Sequence, residues 1–298
     1  LMTLGFVGTF SAGAQTMEFS WLGIPSGTYS LGMAGTGYLS DENVAWSSFG
    51  SSAMAALSDR RLAAAMSYSR WQPSPFNRVS AGVSGKAGSG VAVSGGASFL
   101  GGRRYSVFDS GGQRTGNYMP YMLEMNVGAG VKLTDFMSVG AGFIYAMEAV
   151  AEDGKYNALA GDLMLAFIHR GFRGCVGVSS FGANLGSDGG LKSFPASAKI
   201  TAGYEDSLYN GKFHLSVYTD ADCYLNGSVS AAIGASVGYR ELITFRGGYR
   251  YSSSAAPLPS FGTLGISFGY AGIALDLAYV LSSDQIRNSF QTGLRYSF

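Results

Sequence analysis

The sequence predicts an all-β protein: a transmembrane antiparallel β-barrel of about fourteen strands with an N-terminal plug segment. Three observations predict it. Apolar residues recur with a period of two rather than 3.6 over most of residues 62–298, which marks extended strands. The face opposite the bulky one is mostly Gly, Ser and Ala, with sparse charges. A soluble sandwich would carry Lys, Glu and Thr there, facing bulk water, whereas small residues suit a narrow, filled barrel interior. Finally, tight and long connections alternate, as they do when one rim carries turns and the other carries loops.

Residues 1–15 read as the remnant of a secretory signal peptide, an apolar run followed by Ala12-Gly13-Ala14 as a cleavage-like site. After them, no apolar run reaches the roughly 18 to 20 residues that a membrane helix needs. Residues 16–59 break the strand pattern and are rich in Gly, Ser and Ala. A short helix is predicted at 41–46 or 52–57, with Ser40 or Ser51 as its cap. The small residues, Gly32 and Gly35 among them, let this segment fold back into the barrel as a plug. Trp21, Tyr29, Tyr38, Trp46 and Phe49 would otherwise face water.

The barrel domain is predicted over 60–298. Its fourteen strands fall at 62–71, 78–86, 90–100, 118–133, 137–150, 156–169, 172–181, 196–205, 212–223, 228–239, 242–251, 262–270, 273–281 and 287–298. The alternation is sharpest late in the chain, where Ile273, Leu275, Leu277, Tyr279 and Leu281 oppose Ala274, Asp276 and Ala278. Links at 134–136, 170–171, 240–241 and 271–272 are tight, and those at 101–117, 182–195 and 252–261 are long. An even strand count then places both chain ends at the short-turn rim. In the last strand Phe290, Thr292, Leu294, Tyr296 and Phe298 alternate with Gln291, Gly293, Arg295 and Ser297. A strand of this pattern closing on Phe298 reads as an assembly signal for barrel-insertion machinery.

Strand parity turns inward the charges Glu124, Lys132, Asp162, Lys199, Asp220, Arg246, Arg250, Asp276 and Arg295. Mixed signs in a narrow interior predict ion pairs that hold a plug. The competing reading is the selectivity lining of an open pore.

Several function classes are excluded by composition. With 20 basic and 19 acidic residues, the chain has no field for a nucleic-acid partner. Its two cysteines give no disulfide framework. Cys175 falls on the inner parity and Cys223 on the outer, so both are expected as free thiols. Two histidines, His169 and His214, make no metal cluster, and no cofactor is expected. The strongest enzyme candidate is His214, Ser216 and Asp220 on one face of the ninth strand. Residues two apart lie about 7 Å apart along a strand, too far for a nucleophile to bond its base, and no enzyme is expected. Gly128-Ala129-Gly130 and Gly140-Ala141-Gly142 sit mid-strand with no Walker lysine. Asn226-Gly227-Ser228 is read as a turn.

A set of short motifs then resembles a known family. They are Phe19-Ser20-Trp21-Leu22-Gly23-Ile24-Pro25, Ser30-Leu31-Gly32-Met33-Ala34-Gly35-Thr36 and Ser40-Asp41-Glu42-Asn43, followed by Ala160-Gly161-Asp162-Leu163, Gly182-Ala183-Asn184-Leu185-Gly186 with Phe194-Pro195, and Phe245-Arg246-Gly247-Gly248-Tyr249. Their order and spacing, over residues 19–298, resemble the PorV/PorQ family within the wider FadL-like group of barrels. One departure is Ser51-Ser52-Ala53, where that family carries Asn-Pro-Ala. The resemblance implies a bacterial outer-membrane location and a fourteen-stranded barrel with an N-terminal plug. It also implies service in type IX-like secretion: an accessory, shuttle or anchoring part of a protein-export complex. The implied partners are outer-membrane lipid, other envelope or secretion proteins and the barrel-assembly machinery, with a monomeric barrel inside a hetero-complex. The loops 101–117, 182–195 and 252–261 are the expected contact surfaces. The alternative that the resemblance carries is a FadL-like channel for hydrophobic small molecules.

Overall fold

A computed structural model gives the architecture and describes residues 19–72, 76–108, 111–151, 154–185, 194–240, 242–283, 285–286 and 288–298. The segment read as a signal remnant, 1–15, lies outside the described residues. The strands, in chain order, are β1 (Leu62–Trp71), β2 (Phe76–Lys86), β3 (Val91–Gly101), β4 (Tyr105–Phe108), β5 (Arg114–Tyr118), β6 (Tyr121–Thr134), β7 (Met137–Ala151), β8 (Gly154–His169), β9 (Phe172–Leu185), β10 (Ser197–Leu208), β11 (Phe213–Tyr224), β12 (Val229–Tyr239), β13 (Ile243–Ser252), β14 (Phe261–Tyr270), β15 (Ile273–Ser282) and β16 (Phe290–Ser297). Fourteen of them close into one antiparallel barrel, sealed where β1 pairs with β16, and β4 and β5 form a separate two-stranded sheet.

The wall follows from the period of two. In β12, Val229, Ala231, Ile233, Ala235, Val237 and Tyr239 are exposed, while Ser230, Ala232, Gly234, Ser236 and Gly238 are buried. The order is inverted relative to a soluble sheet, because the bulky face looks out and the small face looks in. Eleven residues of β12 span about 33 Å along the strand and, at the usual tilt, about 25 Å along the barrel axis, the height of a lipid-facing band. Leu264, Phe268, Leu275 and Leu277 continue this exposed belt around the wall.

The two rims differ. At one rim the connections β2–β3, β6–β7, β8–β9, β10–β11, β12–β13 and β14–β15 have no more than four residues. Positive φ at Arg170 (48°), Gly171 (85°), Ala271 (51°) and Gly272 (81°) tightens two of them. Both ends of the barrel domain meet at this rim, where Phe298 exchanges backbone hydrogen bonds with Leu62.

Two sequence expectations need correction at the long-loop rim. The 101–117 loop contains the β4–β5 hairpin. The stretch 182–185, expected within the long 182–195 connection, is strand. A bulge explains the second miss. Ser179 and Ser180 together oppose Asp162, and Ser180 takes a φ of 53°. The extra residue flips the alternation, so Val176 and Val178 face out before the bulge and Phe181 and Leu185 face out after it.

Residues 19–58 lie inside the lumen. They form 3-10 turns at Ser20–Gly23 and Asp41–Phe49 and two short helices, α1 (Thr28–Leu31) and α2 (Ser52–Leu57). Both predicted helical stretches therefore form. Ser40 caps the first by accepting from Glu42 N (3.4 Å). Ser51 makes no side-chain cap and meets Cys175 Sγ instead, at 3.5 Å.

Candidate functional site

The lumen is the candidate site, and its residues fall into three levels. At the long-loop rim, Phe19, Trp21 and Ile24 pack with Trp71, Phe76, Phe194, Leu258, Phe261 and Ile286 into one apolar cluster. This is a lid. Leu258 and Phe194 come from connections expected to reach outward as contact loops, yet both are buried here. Residues 186–193 of the second connection lie outside the described residues. Trp21 adds one polar tie, its Nε1 donating to Glu148 Oε2 at 3.2 Å.

Below the lid the plug is keyed into the wall. A Cβ built on Gly140 would lie 2.1 Å from Ala53 N, and one on Gly96 2.2 Å from the Phe49 ring. No side chain fits there, so the small inner face is the imprint of residues 32–56. Gly32 repeats the device from the plug side, with Gly265 Cα 3.2 Å from its would-be Cβ. Gly35 sits at φ 87° beside Arg250.

Most of the inward charges predicted from parity converge on this plug, directly or through a partner. Arg295 pairs with Glu42 and, through Nε, with Asp276 at 2.8 Å. Arg246 reaches Asp276 at 3.4 Å and lies 4.5 Å from the Tyr29 ring centre. Arg250 Nε donates to Ala34 O at 3.0 Å, and its Nη1 lies 3.4 Å from Asp222. Lys199 donates to Tyr38 Oη at 2.6 Å. Glu124 accepts from Arg78 at 3.0 Å. Asp162 accepts from the bulged Ser180 N at 2.6 Å. Arg78, Arg173 and Asp222 make ion pairs of the same kind, and the sequence reading missed them, as it missed Glu148 bonded to Trp21. Arg173 and Asp222 share the parity of Cys175 and Asp220, so the signal was present. Arg78 shares the parity of Ser80 and Ser84, so the signal was present there too.

Two spaces remain. An open vestibule of about 640 Å³ occupies the short-turn rim, lined by Asp41, Glu42, Arg173, His214, Arg240 and Arg295. His214 Nδ1 meets Ser207 Oγ at 2.9 Å, whereas Ser216 bonds Ser236 at 2.7 Å. The three residues weighed as a nucleophilic set are therefore not joined. A smaller chamber of about 120 Å³ lies between lid and plug, lined by Tyr38, Asn43, Trp46, Phe49, Glu124, Asn126, Lys199, Asp222 and Arg250. Cys175 is buried and Cys223 exposed, both as free thiols. Among the described residues no three His, Cys, Asp or Glu side chains converge on a common metal position.

No protein-family model matches the chain, and no curated protein sequence does. Solved structures do resemble it. The CymD monoaromatic hydrocarbon channel superposes with a TM-score of 0.59 at 14% identity, covering 93% of this chain and 98% of that one. The Ralstonia pickettii toluene transporter TbuX gives 0.55 at 13%, covering 92% and 98%. A Pseudomonas aeruginosa FadL homologue gives 0.52 at 10%, covering 91% and 95%. At these identities the likeness is one of fold: a closed fourteen-stranded barrel.

Proposed function

We propose that the protein is a channel of the bacterial outer membrane for small, largely apolar molecules, held closed by its own N-terminal segment. The short-turn rim is then periplasmic and the lid faces outward. One observation carries the reading: an apolar lid of aromatic side chains closes a barrel whose fold, along nearly its full length, is similar to that of hydrocarbon channels. The lid side chains are buried against one another, so an apolar molecule enters by replacing contacts of its own kind. The test is uptake of labelled toluene by Gram-negative cells that carry the folded barrel in an outer membrane rich in lipopolysaccharide. Initial uptake should rise severalfold over cells with an empty vector. An unchanged rate with the barrel correctly inserted would remove this reading.

A second reading, an accessory or anchoring part of a protein-export complex, is favoured by the packed interior. The plug is keyed by glycine contacts and ion pairs, as suits a barrel that works through its surfaces. It expects stoichiometric envelope or secretion proteins to co-purify in mild detergent. The resemblance to PorV/PorQ proteins in the motifs of the plug supports it, while the fold comparisons support the channel.

A further inference from the structure

We infer that the chamber beneath the lid binds a neutral, single-ring molecule bearing a hydrogen-bond donor, such as a phenol, in preference to a bare hydrocarbon. The inference rests on the channel reading and narrows its substrate class.

Size comes first. A volume of about 120 Å³ is of the order that holds one benzene-sized ring. A long acyl chain does not fit. Aromatic surface is present, because Trp46 and Phe49 line the chamber with ring centres 5.6 Å apart, and Tyr38 lies beside them.

Charge comes second. The ionic groups of the lining already have partners: Lys199 with Asp222 (3.6 Å), Arg250 with Asp222 (3.4 Å) and Glu124 with Arg78 (3.0 Å). A charged guest would lose its hydration and find no free counter-ion. A neutral guest avoids that cost.

Hydrogen bonding decides the rest. Asn43 and Asn126 are each 2% exposed, and their carboxamide oxygens have no hydrogen-bond partner among the described residues. The Asn126 amide nitrogen donates to Glu124 at 2.9 Å, which fixes its oxygen as the unmet end. Both unmet groups are acceptors. Each oxygen has less than 1 Å² of accessible surface, so a carboxamide turns toward the chamber to accept from a hydroxyl or amine on the guest, whereas a methyl group offers it no hydrogen.

The test is a 19F NMR titration of the purified, folded barrel in detergent with 4-fluorophenol and with 4-fluorotoluene. 4-Fluorophenol should saturate one site per barrel and bind about three- to tenfold more tightly than 4-fluorotoluene, the ratio that one net hydrogen bond supplies. Asn43→Ala with Asn126→Ala should erase the difference. Equal or tighter binding of 4-fluorotoluene overturns the inference, as does 4-fluorophenol that only partitions into micelles. If the double variant does not fold, the comparison on the unaltered barrel decides. Toluene uptake by cells tests the channel reading separately, so failure of one can be told from failure of the other.

Discussion

The lid and the inner plug close the same lumen by different physics. The lid is apolar contact among Phe19, Trp21, Phe194, Leu258 and Phe261, a non-directional packing that can be remade in another arrangement. The inner plug is held by shape and by charge, with Ala53 against Gly140, Phe49 against Gly96, and Glu42 and Asp41 against Arg295 and Arg173. Contacts of that kind have one good geometry. On the channel reading proposed above, the contrast assigns opening to the lid and leaves residues 28–58 seated.

Arg78 is the joint between the two regions and gives the largest test. Its guanidinium donates to Ile24 O and Ser26 Oγ, both at 2.6 Å, and pairs with Glu124, and all of these groups are buried. Arg78→Met leaves the Glu124 carboxylate inside without its cation, at a cost of about 3–5 kcal/mol. The lid should loosen, while Cys175, covered by Ser51, stays closed to a maleimide in a Cys223→Ser background. Rapid labelling of Cys175 would mean that lid and plug move as one body.

Gly140→Val attacks the other side. The new side chain collides with the backbone of α2 at Ala53, and overpacking of this kind costs about 1–3 kcal/mol. Here Cys175 should become reactive. Gly116→Val, where nothing lies within 4 Å, is the control and should change neither stability nor labelling. If Gly140→Val leaves Cys175 protected, the imprint is not what seats the plug.

Much of this was legible in the sequence because a strand has a period of two. Once one bulky residue such as Ile233 is assigned to the outside, its neighbours follow, and Arg246, Asp276 and Arg295 are placed in the lumen without coordinates. What failed was what breaks that period. The bulge at Ser179 and Ser180 reverses parity within one strand, so the continuation to Leu185 read as part of a long connection. The inward fold of Leu258 and Phe194 was invisible because a connection has no periodicity from which to read its facing. The partners of the inner charges were hidden too. Arg295 finding Glu42 depends on how a plug without regular pattern is seated, and strand spacing carries nothing about that.

The smallest effect is expected at Glu42, and acid should expose it. Burial raises this carboxyl, but the Arg295 guanidinium bonded to it, with Arg60 and Arg246 nearby, outweighs burial and holds it below the ordinary range. A carboxyl depressed in the folded state stabilises fully above its unfolded value of about 4.3, and the contribution fades as pH falls through the lower folded value. The side chain is one-third exposed, so solvent screens the pair and Glu42→Gln should cost below about 1 kcal/mol at neutral pH. The thermal midpoints of Glu42→Gln and the unaltered barrel should therefore differ at pH 7 and converge near pH 3, with the lid unaffected at either. A gap that widens in acid would show that this carboxyl is not held by Arg295, and the electrostatic half of the contrast between lid and plug would fall with it.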